Sequence, residues 1–163
     1  MNQIVPKRVF YTSGMGAHES RLASFEMALR DAGVHMLNLV GVSSILPPRC
    51  TFVSMDEGLR ELEAGSVAFC VLSESSSCQR GERVFACVAC AHPAHEDTYG
   101  YFAEYHSSVD EDEGVEAARA LASQMYETLT GDKPSTLTSV HSGGVVVREG
   151  EYLTAVAMAV FIQ

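Results

Sequence analysis

Residues 38–48 read NLVGVSSILPP, and the organisation of the chain can be worked out from this stretch in both directions. The run over 35–43 is apolar on both faces, which predicts a buried strand that the two prolines then end. Asn38 is the exception, because asparagine is depleted in strands and needs partners when buried. Ser43 and Ser44 occupy the corner, where ordinary turn chemistry favours glycine, asparagine or aspartate. By composition alone, this serine pair is a polar strand end.

Upstream of this stretch, the spacing of apolar residues predicts one amphipathic helix. The helix covers residues 20–32 and ends at Gly33, which suits a left-handed stop, and Glu26 borders its buried stripe. Residues 7–13 predict a strand that leads into a loop at 14–19, whose glycines serve the loop and the helix cap. The expected buried stripe consists of Leu22, Phe25, Leu29 and Ala32.

Downstream, several strands and one further long helix are expected. The tract 51–65 suits a strand end and one short helix, and a second amphipathic helix is expected at 114–130. Its predicted inner face consists of Val115, Ala118, Leu121, Ala122, Met125 and Leu129. The predicted strands are 66–74, 83–91 and 99–107, followed by a hairpin of 136–147 and 152–162. Runs of strands broken by two substantial helices predict a single α+β domain.

The composition limits the classes of partner. Hydrophobic residues make up 47% and charged residues 20% of the 163 residues, which is typical of a globular domain. The formal net charge of −10 disfavours nucleic acid and anionic membranes, and it favours the approach of a cationic small molecule. No signal peptide or transmembrane run is expected. Five cysteines cannot all pair internally, so free thiols in the cytoplasm are predicted.

A cluster of cysteine and histidine residues has the spacing of a zinc site. Cys87, Cys90, His92 and His95 form the pattern C-x₂-C-x-H-x₂-H. The two cysteines are three residues apart in an apolar strand, so their side chains should point to opposite faces. Buried free cysteines are therefore the preferred interpretation, and no metal site is expected.

Glu104 is an unusual residue for the middle of a strand, where glutamate is disfavoured. It shares a strand face with Phe102, and an apolar setting would raise the pKa of its carboxyl group. A raised pKa would make Glu104 a proton donor at neutral pH. An edge-strand carboxylate that faces solvent is an equally open interpretation.

Three segments carry a resemblance to a known family. The stretch 38-NLVGVSSILPP-48, together with 22-LASFEMALRDAG-33 and 99-YGYFAEYHS-107, resembles the pyruvoyl-dependent arginine decarboxylase family. The resemblance covers most of the chain, in the same order and at compatible spacing. The N-x₄-S-S-I-x-P-P core is its most specific part.

The resemblance implies that the chain cuts itself between Ser43 and Ser44. The Ser44 hydroxyl would attack the Ser43 carbonyl carbon, and elimination of the resulting ester would separate residues 1–43 from residues 44–163. Ser44 would then become a pyruvoyl group at the new N-terminus, and no pyridoxal phosphate or metal is implied. Asn38 matches the asparagine that supports this cleavage in the family, by hydrogen bonding near the developing oxyanion.

The resemblance also implies roles in catalysis. The pyruvoyl carbonyl would form a Schiff base with the substrate amine and accept electrons as carbon dioxide leaves. Glu104 matches the family's proton donor. Glu26 aligns with an aspartate that contacts the substrate guanidinium, and its extra methylene changes the reach of the carboxylate. The expected reaction is the conversion of L-arginine to agmatine.

The family fold is a four-layer αββα sandwich, which agrees with the predicted strands and helices. Family members assemble as trimers or pairs of trimers with the active site between subunits, so a homo-oligomer is expected. Two other functions stay open. One is an uncleaved, catalytically silent relative that serves as a scaffold, and the other is a metal-binding module built on the cysteines and histidines.

Overall fold

The computed structural model describes residues 4–163 and confirms the α+β class, with two sheets and three helices. The elements in chain order are β1 (Arg8–His18), α1 (Arg21–Asp31), β2 (Asn38–Gly41), β3 (Ile45–Leu46), β4 (Thr51–Phe52), α2 (Met55–Leu59), β5 (Val67–Ser77), β6 (Arg83–His92), β7 (Gly100–Ser107), α3 (Glu111–Thr130), β8 (Thr136–Val145) and β9 (Tyr152–Ile162). The strand end and short helix expected at 51–65 are β4 and α2.

The strands form two sheets, of which sheet A is mixed and sheet B is antiparallel. Sheet A has the order β2-β5-β9-β1-β4, and sheet B has the order β3-β7-β6-β8. In sheet A, β2 runs parallel to β5 and β4 runs parallel to β1, while the other pairs are antiparallel. All pairs in sheet B are antiparallel. Short strands, β2, β4 and β3, therefore form three of the four sheet edges.

Strict alternation along the central strands produces three apolar clusters. In β9, Ala157 faces sheet B, whereas its neighbour Met158 packs under α1. In β6, Val88 lies between the sheets, whereas Ala89 packs under α3. Strands covered on both faces are apolar at consecutive positions, which is why β9 reads as a continuous apolar run.

The expected hairpin at the end of the chain is wrong. β8 pairs with β6 in sheet B, and β9 lies between β5 and β1 in sheet A. The link over 146–151 therefore crosses from one sheet to the other instead of closing a two-stranded turn. The two faces of β9 are covered by sheet B and by α1, and its two edges pair with β5 and β1, so no edge of β9 is left for β8.

The expected glycine loop after the first strand is also wrong, because β1 continues to His18. A Cβ atom on Gly14 would lie 2.4 Å from the carbonyl oxygen of Ala28, and one on Gly16 would lie 2.3 Å from that of Ser24. These glycines therefore allow α1 to pack directly on the sheet. Their role is close approach of two backbones rather than a turn.

Close packing also changes which face of α1 is buried. Leu22, expected in the buried stripe, is 78% exposed, and the buried positions are Ser24, Ala28 and Ala32. Only small side chains fit where the helix backbone nearly touches β1. In α3, Leu121 and Leu129 are exposed, contrary to expectation, and Tyr126 is buried in their place.

Candidate active site

The bond between Ser43 and Ser44 lies where the chain crosses from sheet A to sheet B. On one side, the Val42 amide donates to the carbonyl of Cys70 in β5 at 3.0 Å. On the other side, the Phe102 amide in β7 donates to the Ser44 carbonyl at 2.7 Å. Ser43 is exposed and Ser44 is half-buried. The bond is thus held from both sheets by backbone contacts on either side of it.

An apolar groove of about 430 Å³ lies beside this crossing. Ser43 contributes to its wall together with Phe69 of β5, Phe161 of β9 and Tyr99, which precedes β7. Apolar walls exclude water and strengthen electrostatic interactions inside a site. The groove can therefore hold an organic group next to residue 44.

Glu104 lies in β7, two residues beyond Phe102. Its neighbours Ala103 and Tyr105 pack under α3, so Glu104 points to the side that faces sheet A. Its carboxylate reaches solvent because β3 covers only Gly100 and Tyr101 of β7. Glu104 therefore lies at an open edge of β7, on the face towards sheet A, and it is not among the residues that line the groove.

The protonation of Glu104 reflects this half-enclosed position. Burial raises the pKa of the Glu104 carboxyl group, and the positive charge of nearby His106 lowers it in part. The Cys70 thiol has a pKa of about 11, raised mainly by burial and secondarily by the charge of Glu104. This coupling places Glu104 within electrostatic reach of β5, the strand that binds Val42.

Asn38 does not lie in a buried strand. The strand expected at 35–43 is reduced to β2 at the edge of sheet A, where Asn38 is exposed. Its side-chain amide donates to the Gly65 carbonyl at 2.8 Å. An extended chain rises about 3.3 Å per residue, so five residues separate Asn38 widely from Ser43. Its part in cleavage stays a prediction.

Glu26 lies on α1, which covers the outer face of sheet A, and it contacts Arg30 of the same helix. Its Oε1 atom accepts a hydrogen bond from Nε of Arg30 at 2.6 Å. Both side chains are largely solvent-accessible, and exposed pairs of this kind are worth about 0.2–1 kcal/mol. The Glu26 carboxylate is therefore available to a competing guanidinium. The role of Glu26 in substrate binding stays a prediction.

The structure thus brings Ser43, Ser44 and Glu104 to one corner of the two sheets, and leaves Asn38 and Glu26 elsewhere on the chain. Sequence reasoning missed Ser73, whose buried hydroxyl donates to the Tyr105 carbonyl at 2.8 Å, next to Glu104. The available signal was a serine near the end of the apolar run 67–73.

The cysteine and histidine cluster does not converge on one point. Cys87 packs under α3 and Cys90 lies between the sheets, which confirms that they face opposite ways. His92 bonds Thr138 through Nε2 at 2.8 Å, and His95 is exposed. Within residues 4–163, no group of three or more His, Cys, Asp or Glu residues has the arrangement of a metal site.

The described part of the chain also contains no helix with both the length and the apolar character needed to cross a membrane.

Comparison with known proteins gives a consistent family match. The family model described as pyruvoyl-dependent arginine decarboxylase matches residues 8–163. Pyruvoyl-dependent arginine decarboxylase 1 of Methanosarcina acetivorans is 43% identical over 163 residues, covering 99% of each chain. Pyruvoyl-dependent arginine decarboxylase 2 of Archaeoglobus fulgidus is 46% identical over 160 residues, covering 98% of each chain.

Proposed function

Because the chain belongs to the pyruvoyl-dependent arginine decarboxylase family, we propose that it converts L-arginine to agmatine and carbon dioxide. The chain is a carboxy-lyase of this family. The observation that carries the proposal is family membership over nearly the whole chain, joined to a serine pair at the junction of two sheets.

The first proposed step is self-cleavage between Ser43 and Ser44. The Ser44 hydroxyl attacks the Ser43 carbonyl carbon, so that the acyl group moves from nitrogen to oxygen. Elimination breaks the ester, so that Ser43 leaves as a carboxylate that keeps the Ser44 oxygen, and residue 44 becomes dehydroalanine. Dehydroalanine tautomerises to an imine, and water hydrolyses the imine to the pyruvoyl ketone with release of ammonia. Only a residue with a β-oxygen at position 44 can be both nucleophile and leaving group. The backbone contacts of Val42 and Ser44 support this step, because they fix both flanks of the bond.

The two products of cleavage remain together. The small chain of 43 residues contains β1, which pairs with β9 of the large chain over all eleven of its residues. β1 also lies between β9 and β4, so both of its edges contact the large chain. Separation of the chains would therefore expose the core of sheet A.

The surroundings of residue 44 suit a pyruvoyl group. Its position is half-buried next to the apolar groove, and the Phe102 amide holds its carbonyl. The group supplies a ketone that condenses with the substrate amine and withdraws electrons while carbon dioxide leaves. Ser43 on the groove wall is exposed, so the groove is open on one side and a substrate can enter it.

Glu104 is the proposed proton donor to the carbon that loses carbon dioxide. Its raised pKa keeps a larger fraction of the carboxyl group protonated than an ordinary glutamate would have at the same pH. Its position in β7, two residues from the Phe102 amide that donates to the Ser44 carbonyl, supports this role.

We propose that Glu26 binds the substrate guanidinium and that a second copy of the chain completes the site. Glu26 lies on α1, on the far side of sheet A from Glu104, so one chain does not bring the two carboxylates together. A trimer or a pair of trimers would let Glu26 of one copy face the groove of another. Asn38, exposed at the edge of sheet A, would support cleavage in the same assembly.

The four-layer αββα sandwich is the architecture we propose. Three apolar clusters support it, one between the sheets and one between each sheet and its helix. We also propose a cytoplasmic location. All five cysteines are free thiols, which suits a reducing compartment.

One combined experiment tests this function. Purified protein is divided between intact-mass measurement under denaturing conditions and assays of carbon dioxide release over a panel of amino acids. Two chains, a ketone that reacts with hydroxylamine, and release from arginine are expected. An uncut chain without carbon dioxide release would instead identify the protein as a silent scaffold.

A further inference from the structure

The bond between Ser43 and Ser44 closes a ring of contacts that joins β5 of sheet A to β7 of sheet B. Val42 binds the Cys70 carbonyl of β5, and the Ser44 carbonyl binds the Phe102 amide of β7. Three residues further along each strand, β5 reaches Ser73 and β7 reaches Tyr105. In the uncut chain, the residues that bind the two strands, Val42 and Ser44, therefore belong to one continuous segment.

Ser73 closes the other side of the ring. Its hydroxyl donates to the Tyr105 carbonyl oxygen at 2.8 Å, and the side chain is only 2% exposed. A serine hydroxyl extends one bond beyond Cβ, so the two strands must lie closer here than the roughly 10 Å that separates stacked sheets. Tyr105 directly follows Glu104. The contact is therefore a polar link from sheet A to the residue next to the proposed acid.

Resting on the proposed self-cleavage, we infer that Ser73 is a positioning residue, which keeps Glu104 aligned with residue 44 once the Ser43–Ser44 bond is cut. Cleavage leaves Val42 on sheet A and residue 44 on sheet B, so the covalent side of the ring opens. The other side-chain hydrogen bonds between strands of the two sheets are made by Thr138 and Ser142 of β8, which lies on the far side of β6 from β7. The apolar contacts between β5 and β7 are non-directional. A hydrogen bond has a defined length and angle, and it fixes the position of β7 against β5.

The inference differs from a purely structural role in one measurable respect. If the Ser73 hydroxyl only forms a hydrogen bond in the core, it stabilises the uncut and the cleaved protein equally. A hydroxyl that takes over from the cut bond matters more in the cleaved protein. The effect of removing Ser73 must therefore depend on the state of the Ser43–Ser44 bond.

The first test measures amide hydrogen exchange in the full protein. Ser73→Ala is compared in two backgrounds, the self-cleaved protein and the uncut Ser44→Ala protein. Exchange over residues 102–107 is expected to accelerate by about tenfold in the cleaved background, the scale of one net hydrogen bond, and clearly less in the uncut one. Equal acceleration in both backgrounds would overturn the inference.

The second test separates kcat from KM in the cleaved enzyme. We express kcat per mole of protein that carries a reactive ketone (kcat per ketone). Ser73→Ala is expected to lower this value by about tenfold and to leave KM within about twofold of wild type, because the alignment of Glu104 is lost while substrate binding is kept. Ser76→Ala is the matched control. It lies on the opposite face of β5, where its hydroxyl bonds Thr154 at 2.9 Å, and it should leave kcat unchanged.

A second pair of variants covers the case in which Ser73→Ala does not fold. Ser73→Thr keeps the hydroxyl and Ser73→Val has the same shape without it, so Thr should retain a kcat about tenfold above Val. Equal kcat values for the pair, or for Ser73→Ala and Ser76→Ala, refute the positioning role. Wild-type protein with no ketone and no carbon dioxide release would refute the proposed function itself, which is a separate result.

Discussion

The central strands and the edge segments of the two sheets differ in both burial and chemistry. β9 is buried from Thr154 to Ile162 and β6 from Val84 to Ala91, and neither run carries a carboxylate. Burial raises the pKa of the Cys87 thiol to about 11, so the thiol stays protonated and unreactive. Ser43, Ser44 and Glu104 instead lie where strand pairing stops. The centre of the molecule supplies stability, and the proposed reactive groups lie at its edge.

This division predicts that edge substitutions remove activity without unfolding the protein. Ser44→Ala has the largest expected effect, because it removes the only β-oxygen able to attack and then leave. We expect a single uncut chain, no hydroxylamine-reactive ketone and no carbon dioxide release, with a melting temperature no lower than that of the cleaved wild type. Ser43→Ala is the control, because residue 43 supplies only its carbonyl carbon. Cleavage in Ser44→Ala would contradict the mechanism.

Glu104→Gln is expected to cleave normally and to decarboxylate about 10²–10⁴-fold more slowly, the usual contribution of a general acid. Denaturing gels would verify cleavage, and single-turnover assays would measure the chemical step. Glu111→Gln, an exposed carboxylate that contacts His141, is the matched control. A fully active Glu104→Gln enzyme would remove Glu104 from the reaction.

A central substitution should show the opposite behaviour. Met158→Ala deletes a fully buried side chain between β9 and α1, and such changes reduce the free energy of unfolding by about 2–5 kcal/mol. Denaturant titration would measure the loss, while kcat per ketone should change little well below the melting temperature. Met27→Ala on the exposed side of α1 should stay within about 0.5 kcal/mol of wild type. A large loss of kcat in Met158→Ala would contradict the separation between a stabilising centre and reactive groups at the edge.

Glu26→Gln should raise KM for arginine by about tenfold to hundredfold, the value of one hydrogen bond to a charged group, with kcat nearly unchanged. Glu26→Asp keeps the negative charge but has a shorter side chain, so its KM should lie between the KM of wild type and that of Glu26→Gln. Steady-state kinetics on cleaved protein would decide. The same KM in all three proteins would exclude guanidinium binding by Glu26.

The smallest expected effect concerns pH. If Glu104 donates the proton, kcat falls as pH rises through its pKa, and burial moves that fall to a higher pH than an ordinary glutamate would give. His106→Gln removes the positive charge that lowers this pKa, so the fall should move to higher pH. The pH dependence of kcat would measure the shift. A fall that persists unchanged in Glu104→Gln would belong to another group.

Local features of the fold could be predicted from the sequence, and strand pairing could not. The spacing of apolar residues located α1, α3 and the three strands between β4 and α3. Alternation identifies the two faces of a strand but not its neighbours, so the strands near the C-terminus were wrongly paired as a hairpin. Gly14 and Gly16 were misassigned for a related reason. Their purpose, close contact with α1, depends on a helix that packs from outside the sheet.

The candidate site shows the same limit. The serine pair and Glu104 stand out because their residue types are unusual at their positions in the chain. Ser73 does not, because its significance comes from a contact with Tyr105, which is distant in sequence. The apolar neighbours of Asn38 predict a buried strand, whereas β2 lies at the edge of sheet A and leaves Asn38 exposed.

Intact-mass measurement of freshly purified, denatured wild-type protein tests the central claim most directly. Self-cleavage at the crossing between the sheets predicts two species, residues 1–43 with a free carboxylate and residues 44–163 with a ketone at the N-terminus. Treatment with hydroxylamine should add mass to the larger species alone. A single species with the mass of all 163 residues, unchanged by hydroxylamine, would contradict the account.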